Sequence, residues 1–337
     1  MASTTVGADA AVELAAVPAA PVWRRLITGS TLGPLAALLL ACVFFTFQSD
    51  RFLTGGNFSL IIQQVMVVGT LAIGQTLIIL TAGIDLANGA IMAFGSIVMT
   101  KLAINSGLPP LLAIVLGIAV CGAFGLANGL LVTRVSLPPF IVTLGMLNIA
   151  FALTHIYSNE ETIVVNSPTL LSLGKTFPLG DTSVTYGSIV MIGLFLVFAY
   201  VLGQTAWGKH VYAVGNNKEA ARLTGVPVQR VLLSVYTVAG LVYGIAALLL
   251  VARTEVGDPK AGQTDNLDSI TAVVLGGTSL FGGRGAVLGA LVGALIVGVI
   301  RNGLQLMGVP SIYQILITGI MVILAVTVDQ ISRRRTR

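Results

Sequence analysis

Long runs of apolar residues dominate this chain, and about 20 such residues in a helix match the thickness of a bilayer's hydrocarbon core. Segments at roughly 31–49, 58–80, 86–104, 109–132, 137–157, 187–205, 230–252, 268–281, 285–305 and 311–329 show the pattern between loop signals. The eighth is short: its 14 residues reach only about 21 Å, so it is either a half-helix or continues into its neighbours. Only 9% of the residues are charged, whereas a soluble domain carries about 25% to solvate its surface. The expected fold class is therefore all-α: a polytopic membrane helix bundle of about ten transmembrane helices. The 39 glycines fit close helix packing in lipid. Cys42 and Cys121 both lie in apolar runs, form no disulfide framework and have no metal-like surroundings; they read as packing residues.

Charge sets the expected orientation. With the N-terminus inside, Arg24, Arg25, Arg134, Lys209, Lys218, Arg222, Arg230, Arg284 and the C-terminal Arg333, Arg334, Arg335 and Arg337 are cytoplasmic. Arg51, Lys101, Lys175, Arg253, Lys260 and Arg301 fall outside. This two-to-one excess places both termini in the cytoplasm, with no nucleic-acid role for the net charge of +5. Residues 1–25 read as a disordered cytoplasmic tail ending near Trp23, 26–330 as the membrane domain and 331–337 as a basic cytoplasmic tail. The longest loop, 158–186, carries Glu160, Glu161, Pro168, Pro178 and Asp181 and is the expected contact for an external partner. Ten spans are compatible with an inverted 5+5 repeat. Asn128-Gly129-Leu130 at the inner end of the fourth span recurs as Asn302-Gly303-Leu304 near the outer end of the ninth.

The inner loop at 206–229 has the grammar of one isolated short helix. Asn216 or Asn217 can cap its first turn, beside Lys218, and Glu219 sits near the positive end of its dipole. Ala220, Ala221 and Leu223 give a small apolar face, with Arg222 between them. Gly225 suits a left-handed stop and Pro227 prevents continuation. A helix of about two turns is unstable alone in water and needs something to dock on.

Glu219-Ala220-Ala221 followed by Gly225 resembles the EAA---G signature of ATP-binding-cassette importer permeases. Two further stretches resemble permeases of the ribose/xylose/galactose type: Thr81-Ala82-Gly83-Ile84-Asp85-Leu86, and Leu267 to Leu280 followed by Gly282-Gly283-Arg284-Gly285. The resemblance runs from about residue 30 to 330. After Gly225 the chain departs from the broader permease pattern, with no Ile-x-Leu-Pro tail. The resemblance implies a bacterial cytoplasmic-membrane permease that is not itself an enzyme. It also implies that 216–223 with Gly225 dock on a cytoplasmic ATP-binding subunit, which binds the ATP and Mg. The other implied partners are a second permease copy or homologue, a periplasmic or lipid-anchored binding protein, and a pentose or hexose cargo.

Several residues inside the apolar runs carry polar chemistry. Asp85, in Gly83-Ile84-Asp85-Leu86-Ala87-Asn88, either lines or gates the solute path or caps the third helix at the inner surface, as Asn88 also could. Asp268 and Asn266 precede the eighth segment and can cap it in the same way. Asn88, Asp268, Gln75, Asn148, Thr278 and Ser279 complete the candidates for the path, while Gln63, Gln64, Asn128 and Asn302 are explained equally by hydrogen bonds between helices. Gly285, Gly289 and Gly293 form a small-residue ridge for helix packing. His155 reads as an interfacial side chain. Gly174-Lys175-Thr176 lacks the earlier glycine of a phosphate-binding loop, that position being Thr169. No nucleotide, metal or catalytic motif emerges. The alternative function is an ion-coupled secondary transporter of a small polar solute, which would need intramembrane acids; Asp85 is the candidate.

Overall fold

The computed structural model describes residues 29–335; residues 1–28 and 336–337, and with them the expected N-terminal tail, lie outside the described residues. Every predicted apolar segment coincides with a helix. These are α1 (Gly29–Gln48), α2 (Gly55–Leu80), α3 (Asn88–Thr100, extended by a π turn at Lys101–Asn105), α4 (Pro110–Thr133) and α5 (Pro139–Ser158). They continue with α6 (Tyr186–Gln204), α9 (Val228–Thr254), α10 (Asp265–Leu275), α11 (Val287–Leu306) and α12 (Ser311–Arg335). Two helices in the 206–229 loop are α7 (Ala206–Asn216) and α8 (Lys218–Leu223). By length and composition, six helices among the described residues can cross a membrane: α2, α4, α5, α6, α9 and α11. The backbone of α12 stays helical through Arg335, so 331–335 continues a helix.

Local chemistry accounts for the helix ends. Thr54 Oγ1 accepts from Asn57 N (3.3 Å) to open α2, and Thr185 does the same for α6 through Ser188 N (3.3 Å). Proline occupies the first position of α4 and α5, where its missing N–H costs no helix bond. Within the spans, the hydroxyls of Thr70, Thr76, Thr133 and Thr154 donate to the carbonyl four residues back, so none of these four is stranded. The eighth segment is a half-helix: α10 begins at Asp265, three residues before the prediction, and ends at Leu275 ahead of Gly276 and Gly277.

The bundle is organised around α2 and α9. Both are apolar around most of their circumference and buried along most of their length, as a helix enclosed by other helices must be. They pack on each other; α2 also meets α10 and α11, and α9 also meets α3 and α4. By contrast, α4, α5 and α6 leave most of their apolar surface on the outside.

The fold is helical but not purely so. The 158–186 loop contributes β1 (Ile163–Val164), β2 (Thr176–Leu179) and β3 (Thr182–Thr185). β2 and β3 form a hairpin, and β1 pairs antiparallel with β4 (Val256–Gly257) in the register Ile163↔Gly257 and Val164↔Val256. Ser59 Oγ, near the start of α2, donates to Ser183 O (2.5 Å), while Leu80 O, at its end, accepts from Gly283 N (3.0 Å) in a loop packed on α7. The 158–186 and 206–229 loops therefore sit at opposite ends of α2. Beyond β4 the chain re-enters the bundle: Gly257 lies against Thr100 and Gly262 against Gly89, so this segment descends beside α3 by roughly 16 Å.

Candidate functional site

The 206–229 connection is an elbow of two helices where the sequence suggests one. Thr205 Oγ1 accepts from Gly208 N (3.1 Å) to start α7. Asn216 ends α7, and Asn217 caps α8, its Oδ1 accepting from both Glu219 N and Ala220 N at 3.0 Å. Gly225 closes α8 at φ +84°, with its N–H bonded to Arg222 O (3.0 Å). Glu219 and Arg222 pair at 2.6 Å on the exposed side. The Arg222 guanidinium holds the Glu219 carboxyl below its usual range, and Glu219 raises Arg222 in return. The expected apolar face divides in two: Ala221 is 4% exposed against the body, whereas Ala220 faces out and Leu223 is 76% exposed. α8 packs on α7 and also touches α9, which covers one side of the short helix.

Two polar contacts and one close approach fix the elbow to the bundle. Trp207 Nε1 donates to Ser234 Oγ on α9 (2.8 Å), and Tyr212 Oη donates to Gly285 O (2.9 Å). Gly215 abuts Leu80 O at the end of α2, the same carbonyl that accepts from Gly283 N. The 276–286 loop thus seats on the elbow. Thr278 and Ser279 belong to this loop, buried with Gly285 against Thr278, and neither lines the interior cavity described below. Gly285 therefore departs from the expected ridge: it precedes α11 at φ +141°. Gly289 and Gly293 lie against the carbonyls of Gly276 and Ala272, which packs α11 on α10 within the chain.

The break between α2 and α3 is interior. Asp85 is 1% exposed, and its Oδ1 accepts from Ala87 N (2.8 Å), so it braces the first turn of α3 from within the protein. Tyr243 on α9 lies against its carboxylate. Asn88 is fully buried and its Nδ2 donates to Gln75 Oε1 (3.1 Å) and Ser269 Oγ (2.7 Å), joining α2, α3 and α10. Asn266 Nδ2 donates to Leu86 O (3.1 Å). Neither Asp268 nor Asn266 precedes the eighth helix. Asp268 lies in the first turn of α10, and its Oδ2 accepts from Arg301 Nη2 (2.7 Å). Arg301, counted among the outer cations at the end of the ninth segment, is in α11, and with Arg253 and Asp265 it lines a second cavity of about 140 Å³.

A cavity of about 300 Å³ opens beside the α2–α3 break. Leu86, Ala90 and Ala93 form one wall; Leu147, Asn148, Phe151 and Thr154 of α5 form another; Pro259, Ala261, Gly262 and Gln263 of the re-entrant segment, with Asn266 of α10, close it. Of the sequence candidates for the path, Asn148 lines it, while Asp85, Asn88, Gln75 and Asp268 do not. Gln263 escapes sequence reasoning because it lies in what reads as an ordinary loop; only the descent of that loop beside α3 brings it to the cavity. Its one local signal is the pair of glycines at Gly257 and Gly262.

Comparison with known proteins places this architecture. A family described as "Branched-chain amino acid transport system / permease component" matches residues 57–326. The fructose import permease protein of Rhizobium meliloti is 46% identical, over 89% of this chain and 85% of its own. The ribose import permease protein of Bacillus subtilis is 38% identical, over 89% and 92%, and the L-arabinose ABC transporter permease protein of Azospirillum brasilense 36%, over 94% and 91%. No solved structure matches the chain. A multi-pass bundle with a family match over most of its length, and relatives that are import permeases over nearly their whole length, leads to one conclusion: the chain belongs to this permease family and is a membrane-embedded transport component rather than an enzyme.

Proposed function

We propose that this chain is the membrane-spanning subunit of an ATP-driven importer that moves a monosaccharide across the bacterial cytoplasmic membrane. The observation that carries the reading is α8: a two-turn helix, held out on α7, with Ala220 and Leu223 unburied. It is fixed through Gly215 and Tyr212 to the end of α2 and to the loop joining α10 to α11. A cytoplasmic ATP-binding subunit, carrying the ATP and Mg, docks on this elbow. Nucleotide that binds two states of that subunit unequally shifts the helices between outward and inward access. The relatives' cargoes are fructose, ribose and L-arabinose, and a pentose or hexose is the cargo proposed here. The working assembly pairs this chain with a second permease copy or homologue and receives sugar from a periplasmic or lipid-anchored binding protein at the 158–186 end.

Ten spans in two inverted sets of five, with both termini cytoplasmic, fit the packing. Match α1–α5 in order with α6, α9, α10, α11 and α12. The contacts α2–α11, α2–α10, α3–α4 and α3–α5 then correspond to α9–α4, α9–α3, α10–α11 and α10–α12, around a central α2–α9 pair. The repeated Asn-Gly-Leu tripeptides agree: Gly129 packs on Leu233 and Tyr236 near the start of α9, while Asn302 bonds Asn57 near the start of α2. The ion-coupled alternative gains no support from the interior acids, since Asp268 is paired with Arg301 and Asp85 is bonded to Ala87.

The test is reconstitution of the chain with its ATPase and binding protein. Uptake of fructose or ribose should require ATP hydrolysis. It should be lost in Glu219→Lys, which breaks the ion pair, and in Gly225→Pro, whose ring cannot adopt φ +84°. Uptake that follows a proton or sodium gradient and ignores ATP rejects the proposal.

A further inference from the structure

The cavity beside the α2–α3 break has a chemistry that selects among solutes. No charged side chain lines it. Its polar side chains are three neutral amides and the Thr154 hydroxyl, which already donates to Ala150 O (2.7 Å), and the amides are not equally occupied. Asn266 is committed at both ends, donating to Leu86 O and accepting from Leu267 N. Asn148 uses only its Nδ2, on Leu144 O (3.2 Å), which leaves its carbonyl oxygen free among the described residues. Gln263 makes no hydrogen bond to any described residue, so a complete amide is presented from the re-entrant segment. The apolar ring of Phe151 stands on the α5 wall. The volume, about 300 Å³, is at the small end of ligand sites, which run from about 300 to 1,000 Å³.

We infer that Gln263 and Asn148 are the sugar-contacting pair of the translocation path, taking the hydroxyls of one neutral monosaccharide between the re-entrant segment and α5 while Phe151 covers its C–H face. The inference rests on the import function proposed above and adds where and by what chemistry the cargo is met. A carbonyl oxygen and a free amide satisfy hydroxyls, which both donate and accept. An amino acid zwitterion would enter unpaired, and burying unpaired charge is far costlier than burying hydroxyls that find partners. The path of this chain therefore favours a sugar over an amino acid, although its family description refers to branched-chain amino acids. The placement of Gln263 depends on close backbone contact. Gly262 lies on Gly89 of α3, and a Cβ at Gly262 would come within 3.2 Å of Met92 Cε.

The experiment uses the reconstituted permease with its ATPase and binding protein, and D-fructose, D-ribose and L-leucine as solutes. Wild type should move sugar and not leucine. Gln263→Ala and Asn148→Ala should each lower sugar moved per ATP by about 2- to 10-fold, the worth of one neutral hydrogen bond. In Gln263→Cys, labelling by a small charged thiol reagent should be slowed by millimolar sugar and not by leucine. If an alanine variant fails to assemble with the ATPase, Gln263→Glu, equal in size, carries the test and should lose sugar uptake while still assembling. A double alanine variant with the wild-type ratio, labelling indifferent to sugar, or leucine import by wild type overturns this assignment. Absence of ATP-driven sugar uptake in wild type overturns the importer reading itself, so the two failures are distinct.

Discussion

Gly215 is where the elbow meets the bundle, and a single methyl there should break transmission. In Gly215→Ala the new Cβ would lie 2.7 Å from Gly283 N and 2.8 Å from Leu80 C, and closer still to Leu80 O. Ordinary contact begins near 3.4 Å, so the Gly283 amide must retreat by about 0.7 Å and the carbonyl by more. Both groups belong to one hydrogen bond, Gly283 N to Leu80 O at 3.0 Å, and moving both away from the same methyl opens it. Losing a buried backbone bond costs about 1–3 kcal/mol, and forcing an extra methyl into packed backbone a further 1–3, so roughly 2–6 kcal/mol is at stake locally. The same methyl separates α7 from α2 and from the 276–286 loop. The reconstituted variant should insert and bind its ATPase, melt earlier in detergent, and move several-fold less sugar per ATP hydrolysed. Gly203→Ala is the control, since nothing lies within 4 Å of its added Cβ. Wild-type melting and wild-type coupling in Gly215→Ala would refute the idea that force passes through this joint.

Replacing either partner of the buried Asp268–Arg301 pair, as in Asp268→Leu or Arg301→Leu, should destabilise by about 3–5 kcal/mol, nearer the low end because Arg301 keeps 32% of its side chain exposed. The double variant should recover most of that loss; thermal unfolding of all four proteins in one detergent decides, and a double variant as weak as the sum of the singles defeats the pairing argument. On α8, the Arg222 partner lowers Glu219's folded pKa below the ordinary 4.5, so its stabilisation is complete above about pH 4.5 and is lost as pH falls through the lowered value. An NMR titration of the Glu219 carboxyl should show the depressed midpoint and its return toward 4.5 in Arg222→Ala; an unchanged midpoint in that variant would remove the interaction.

The amino-acid sequence alone determined whatever depends on local periodicity and on the bilayer. Ten apolar stretches became helices because spans of this length and composition read directly as helices in lipid. α8 was legible because a cap, an acid in the first turn and a left-handed glycine lie within nine residues of one another: Asn217, Glu219 and Gly225. Asp85 shows the boundary of such reading. Its neighbours mark a break, but whether that break faces water or protein depends on α9 and α10, which are more than 140 residues distant. Tertiary structure decided the rest. The hydrogen bond from Asn88 to Ser269 joins residues 181 apart, the Arg301 bond to Asp268 spans 33, and Gln63 O accepts from Arg253 across 190. Such pairings leave no local pattern, because the energy that selects them is the cost of stranding a polar group in an apolar interior, and that cost exists only once the helices have met. For the same reason the cavity, the descent of the 256–264 segment and the exposure of Gln263 belong to the fold rather than to any stretch of the chain.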